Sequence, residues 1–183
     1  MKNKFLINLL LIILFFQNIL NAEIFSIESS KINILEKGNI TKAADGVKII
    51  SNDGIEINGK ELIYDKENAI LKIFGNVVLN DKKNNIITEG EEYIYFKNEE
   101  KIKIFGDVLL NDKKNNVISE GEEYIYFRNE EKIISVGKSK SNIKNIYYLE
   151  GDDLVYERDL SEVYSSKKTK IEDLQNNLFF AEK

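Results

Sequence analysis

The 183-residue chain contains no cysteine, histidine or tryptophan, and its single methionine is Met1. Without cysteine it can form no disulfide and carry no lipid on a processed cysteine. Without histidine and cysteine, the Ser–His and Cys–His arrangements of nucleophilic catalysis cannot be built, and the usual zinc ligands are missing. The glycines are isolated, so no loop is suited to cradling phosphate. The net charge is −5 and no basic block is present. Nucleic acid is therefore a poor partner, because that affinity comes mainly from neutralising phosphates. No motif implies a cofactor.

Carboxylates are what remain for chemistry. Glu89, Glu91, Glu92, Glu99 and Glu100 recur as Glu120, Glu122, Glu123, Glu130 and Glu131. An acid–base pair or a calcium site would draw on such groups. Yet an acid–base pair needs two different environments, and copied segments supply one environment twice. These residues are read as solvated turns and strand edges, with no catalytic or metal-binding assignment and no enzymatic activity. Lys82-Lys83 and Lys113-Lys114, set among Asn and Asp, read as loop tips.

What the chain does have is a duplication. Residues 73–103 are repeated without a gap as 104–134, and only six positions differ: Asn76/Asp107, Val78/Leu109, Ile86/Val117, Thr88/Ser119, Lys97/Arg128 and Lys103/Ile134. Gly59 to Tyr64 echoes Gly90 to Tyr95 on one side, Gly151 to Tyr156 echoes Gly121 to Tyr126 on the other, and Val136-Gly137-Lys138 is a worn copy of Phe105-Gly106-Asp107. Four units follow, near 43–72, 73–103, 104–134 and 135–164, within one domain spanning 23–183. Stacked units of one supersecondary element present a long surface rather than a single pocket, which favours binding or bridging.

Ahead of that domain, residues 1–22 read as a secretory signal. Lys2 and Lys4 precede the apolar run from Phe5 to Phe16, and a polar break leads to Ala22. The run is short for a membrane span of ~20 residues, so export with cleavage after Ala22 is expected.

Within the body, apolar residues alternate: Val47 and Ile49, Ile55 and Ile57, Val77 and Leu79, Val108 and Leu110. A period of two marks half-buried strands. Turn signals every few residues suggest antiparallel hairpins with strands of about six to eight residues. Gly59, Gly90, Gly121 and Gly151 each sit three residues before an aromatic or a leucine. That spacing breaks the period of two and predicts a bulge or corner. Gly75, Gly106 and Gly137 suit a positive φ where the chain enters a strand. Both faces of 86–96 are apolar. The face carrying Tyr93 and Tyr95 is taken as interior because strand periodicity links it to Val77 and Leu79.

From Gly54 to Asp81 the chain runs Gly54-Ile55-Glu56-Ile57-Asn58-Gly59-Lys60-Glu61-Leu62-Ile63-Tyr64-Asp65, then Ala69 to Phe74, then Gly75-Asn76-Val77-Val78-Leu79-Asn80-Asp81. This rhythm, a strand ending in Tyr-Asp and a Gly-x-Val starting the next, resembles the OstA-like family. That family includes the lipopolysaccharide-transport protein LptA and the amino-terminal domain of the outer-membrane assembly protein LptD. The likeness covers about residues 40–160; Phe96 and Phe127 stand where the family has the aspartate.

The resemblance implies an all-β fold, a β-jellyroll of stacked antiparallel hairpins with an apolar groove between two sheets. It implies a periplasmic protein, associated or not with the outer membrane, that carries or bridges lipopolysaccharide without a cofactor. The acyl chains of lipid A would lie along Val77, Leu79, Ile86, Tyr93, Tyr95, Val108, Leu110, Val117, Tyr124 and Tyr126. Other OstA-like or Lpt components, or further copies in head-to-tail order, would join by strand-edge addition. Two rival readings stay open: an exported structural or adhesive repeat with a solid interior, and a polysaccharide-acting enzyme on a β-helix.

Overall fold

The structure is a computed structural model that describes residues 25–181. The expected signal, residues 1–22, lies outside the described residues. Fourteen antiparallel strands follow one another: β1 Phe25–Leu35, β2 Ile40–Ser51, β3 Ile55–Gly59, β4 Glu61–Asp65, β5 Ile70–Asp81, β6 Ile86–Phe96, β7 Lys101–Asp112, β8 Val117–Phe127, β9 Lys132–Ile143, β10 Tyr147–Asp152, β11 Val155–Glu157, β12 Glu162–Tyr164, β13 Thr169–Asp173 and β14 Leu178–Ala181. They form one continuously hydrogen-bonded sheet in which neighbours in space are mostly neighbours in sequence. The all-β architecture expected from the alternating pattern is what the chain adopts.

The strands are longer than the expected six to eight residues. Strands β5 to β9 each span 11 or 12 residues and bend in the middle. Pairing slips at Phe74/Val77, Glu89/Glu92, Phe105/Val108 and Gly121/Glu123, one bulge per strand pair. The Gly-x-Val element therefore lies at a mid-strand corner and not at a strand start. Gly106 at φ 79° and Asp107 at φ 44° place two successive residues in the left-handed region, which turns the chain without breaking the ladder on either side. The second set of glycines is needed for space. A Cβ on Gly59 would lie 2.6 Å from Ile73 Cγ2, because the opposite side of the corner closes over it.

The corners fold the sheet into two leaves. The tyrosine leaf contains 70–74, 92–96, 101–105, 123–127 and 132–136, flanked by β4 and β11. The valine leaf contains 77–81, 86–89, 108–112, 117–121 and 139–143, flanked by β3 and β10. Inward-facing residues of both leaves make one buried apolar cluster, from Ala43 to Tyr156, as expected where each leaf has one dry face.

At the edge opposite the corners, the hairpin turns of each leaf stack into a rim. On the valine leaf the backbone N–H groups of Lys82, Lys113 and Lys144 donate to the carbonyls of Gly54 (3.0 Å), Asn85 (3.0 Å) and Asn116 (2.8 Å). On the tyrosine leaf Lys66, Lys97, Arg128 and Arg158 donate to Asn39, Ala69, Glu100 and Glu131, all at 2.9–3.0 Å. Each rim is thus tied along its own length by the repeat.

Candidate functional site: an apolar interior closed by an arginine ladder

All ten residues expected to line a groove face inward. Val77, Leu79, Ile86, Tyr93, Tyr95 and Tyr126 are fully buried, and Val108, Leu110, Val117 and Tyr124 nearly so. The tyrosine face is the interior one, because the corner at Gly90 restores the phase between Thr88 and Tyr93. Tyr93 donates to Thr88 Oγ1 at 2.8 Å, and Tyr124 lies 2.6 Å from Ser119 Oγ across the equivalent corner. Burial pushes the Tyr93 phenol well above its usual range and the Tyr124 phenol up to about 12, so both remain neutral.

The interior nevertheless differs from the open groove that the resemblance implies. The tyrosine rings fill the space between the leaves, and the ten residues form a closed core. A cavity bordered by Leu110, Ser119, Tyr124, Ser135, Ser141 and Leu154 has a volume of ≈ 20 Å³. That is room for about one water and none for an acyl chain.

Polar residues that the sequence reading assigned to solvent close the free edge. Asp81, at the end of β5, is fully buried. It accepts from Arg128 Nε at 2.9 Å and Tyr126 OH at 3.1 Å, both from the tyrosine leaf. One unit on, fully buried Asp112 accepts from Arg158 Nε at 2.8 Å and Tyr156 OH at 2.9 Å. The two constellations are copies of each other. Arg128 Nη1 also reaches Asp53 at 2.6 Å and pairs with Glu100. Arg158 Nη2 donates to the carbonyl of Asn84 at 2.7 Å, and its Nη1 lies 3.3 Å from Glu131. Each arginine therefore ties its own rung to the preceding one.

The first rung is built differently. Ser51 stands where the later units have Asp81 and Asp112, and Lys97 stands where they have Arg128 and Arg158. Lys97 Nζ lies 4.5 Å from the centroid of the Phe25 ring, whose edge packs on Tyr95 at 6.1 Å. Burial would raise the Asp112 carboxyl; its hydrogen bonds from Arg158 and Tyr156 outweigh that and hold it below the usual carboxylate range. The rung therefore stays ionised.

Sequence reasoning placed Glu99, Glu100, Glu130 and Glu131 in solvated turns. One correction follows: Glu100 is an ion-pair partner of Arg128. Arg128 and Arg158, which that reading did not assign to the interior, are buried. The available signal was the recurrence of Tyr-x-Arg at 126–128 and 156–158, together with Asp-Lys-Lys-Asn at 81–84 and 112–115. The Asn84 and Asn115 amides bind the aspartates of their own turns, at 2.9 and 3.0 Å, and so aim those carboxylates. Lys82, Lys83, Lys113 and Lys114 are exposed tips as expected. Among the described residues, no group of three or more Asp and Glu is arranged to hold a metal ion.

Against known families, residues 13–126, more than half of the chain, match the profile described as OstA-like protein. The chain belongs to the OstA-like family. No curated protein matches it. Among solved structures, LptH, the LptA-homologous periplasmic component of the lipopolysaccharide transport device of Pseudomonas aeruginosa, aligns at 12% identity over 88% of this OstA-like chain and 96% of its own, with a TM-score of 0.48. The TCP10 domain of Danio rerio CPAP, in complex with a STIL peptide, aligns at 12% identity over 87% and 100%, with a TM-score of 0.16. At these scores neither likeness bears on function.

Proposed function

We propose that this OstA-like protein is a non-enzymatic periplasmic carrier that passes lipopolysaccharide toward the outer membrane. The lipid A acyl chains would lie between its two leaves. One observation carries the reading: the inward faces of strands β2 to β9 contribute to one connected apolar cluster that runs from Ala43 to Ile133, in a chain that belongs to this family. An acyl chain in that path would be stabilised by about 0.8 kcal/mol per buried CH₂. Its anionic sugar head would stay in water, outside a protein that is itself acidic. The ten inward residues from Val77 to Tyr126 are the proposed contacts.

Both ends of the sheet suit edge addition, the expected mode for Lpt partners or further copies. Strand β1 pairs only with β2, and β14 only with β13, among the described residues. Each end also presents apolar residues to solvent: Ile32, Ile34 and Leu35 on β1, and Leu178, Phe179 and Phe180 on β14.

One observation favours a second reading, a structural repeat: the interior is closed. Displacement of a fluorescent acyl probe from the purified protein by lipopolysaccharide separates the two. Saturable displacement supports carriage. A protein that binds neither probe nor lipopolysaccharide is a spacer.

A further inference from the structure

We propose that the Arg128 and Arg158 rungs are a lateral gate: acyl chains reach the interior sideways, between the two rims, when the ladder parts. This inference rests on the carrier reading. Two features of the ladder carry it.

The first is position. The leaves are joined covalently along the corners, and each rim is hydrogen-bonded along itself through its backbone. The ladder joins one rim to the other: Asp81 and Asn84 to Tyr126 and Arg128, Asp112 and Asn115 to Tyr156 and Arg158. Parting the ladder leaves both rims intact, and the leaves then swing about corners where Gly75, Gly106 and Gly137 already hold positive φ.

The second is chemistry. A core meant to stay shut is sealed at least cost by apolar side chains, because buried ion pairs give up strong hydration. Elsewhere between the leaves the buried side chains are apolar or carry small hydroxyls, as at Thr88, Ser119 and Ser135, and charged groups are placed where the rims meet. A charged seam rehydrates when it opens, so much of what is lost on parting is recovered from water. An apolar seam would gain nothing from water. The apolar faces exposed behind it are those an acyl chain would cover.

Because the protein has no cysteine of its own, the gate can be locked chemically. Lys114→Cys with Asp159→Cys places one thiol on each rim at the third rung, and Lys83→Cys with Asn129→Cys does so at the second. All four positions are exposed; Lys114 also lies 3.8 Å from Glu131, a partner of Arg158, and the single-rim control below carries the same substitution. A short bis-methanethiosulfonate then tethers the rims through bonds that a thiol reductant removes. Lys83→Cys with Lys114→Cys, tethered along a single rim, is the control. The readout is uptake of fluorescently labelled lipopolysaccharide.

The gate predicts that tethering across the mouth slows uptake by about tenfold or more, that reduction restores it, and that the single-rim tether has no effect. Uptake at the untethered rate in the locked protein overturns the gate alone, since lipid then enters through the ends. No uptake by the untethered protein overturns the carrier reading and the gate with it.

Discussion

The central copies and the unit that follows them share a backbone but not an interior. Ile73 and Ile104 become Ser135, Val77 and Val108 become Ser139, and Leu79 and Leu110 become Ser141; all these positions are buried. The serines are tolerated because they bond to one another and to the corner. Ser135 and Ser139 are 2.8 Å apart, Ser141 and Ser119 are 2.8 Å apart, and the Leu154 N–H donates to Ser135 Oγ at 2.9 Å. The comparison separates two jobs of the repeat. Bent strands and stacked rims need only glycine corners and alternation, so they survive the change of core. The apolar path needs aliphatic side chains and stops where the serines begin.

Breaking the ladder should produce the largest effect. Arg158→Met strands Asp112 as a buried charge and should cost about 3–5 kcal/mol in a urea melt, while Arg158→Met with Asp112→Leu should recover most of the loss. Giving a central copy the chemistry of the fourth unit comes next. Ile104→Ser leaves a void and a hydroxyl without the Leu154 partner, and should cost about 3 kcal/mol by the same measurement. If it costs as little as a surface substitution, the two interiors are interchangeable and the contrast between them is empty.

Corner glycines give a smaller contrast. Gly106→Ala meets both a positive φ and Glu91 Cβ at 2.9 Å, whereas an added Cβ at Gly137 meets nothing within 4 Å. The first should cost about 2 kcal/mol and the second about 1 kcal/mol in thermal melts. The smallest effect concerns acid. The folded Asp112 carboxyl is held below its unfolded value. Its contribution is present above the ordinary aspartate range and is lost as pH falls through the folded value. Stability of the parent protein should therefore drop more steeply in acid than that of the Asp112→Leu/Arg158→Met pair, measured by denaturant midpoint against pH.

How far these features could be read from the sequence follows from range. Alternation at Val77, Leu79, Tyr93 and Tyr95 is local and fixes the inward face once the Gly90 corner is recognised, so the ten interior residues were accessible without coordinates. Strand length was not. Phe74-Gly75-Asn76-Val77 looks like a turn, but paired neighbours on both sides keep the ladder running through it. The ladder was hidden for a different reason. Asp81 and Arg128 are 47 residues apart, and each sits in a segment whose composition suits a solvated turn. Only the docking of one leaf on the other removes them from water. Local pattern likewise does not say whether an apolar interior is open or filled, because that depends on the rims closing.

The proposed role needs the path from Ala43 to Ile133 to hold acyl chains. The most direct test places a photoreactive diazirine analogue of leucine at Leu110, close in size to the residue it replaces, in cells that make lipopolysaccharide. A lipopolysaccharide adduct is expected on irradiation, and a much weaker one with the same analogue at Leu149, beyond the serines. Irradiation that yields no lipopolysaccharide adduct at Leu110, or at Leu79 one unit earlier, in a folded and exported protein would contradict it.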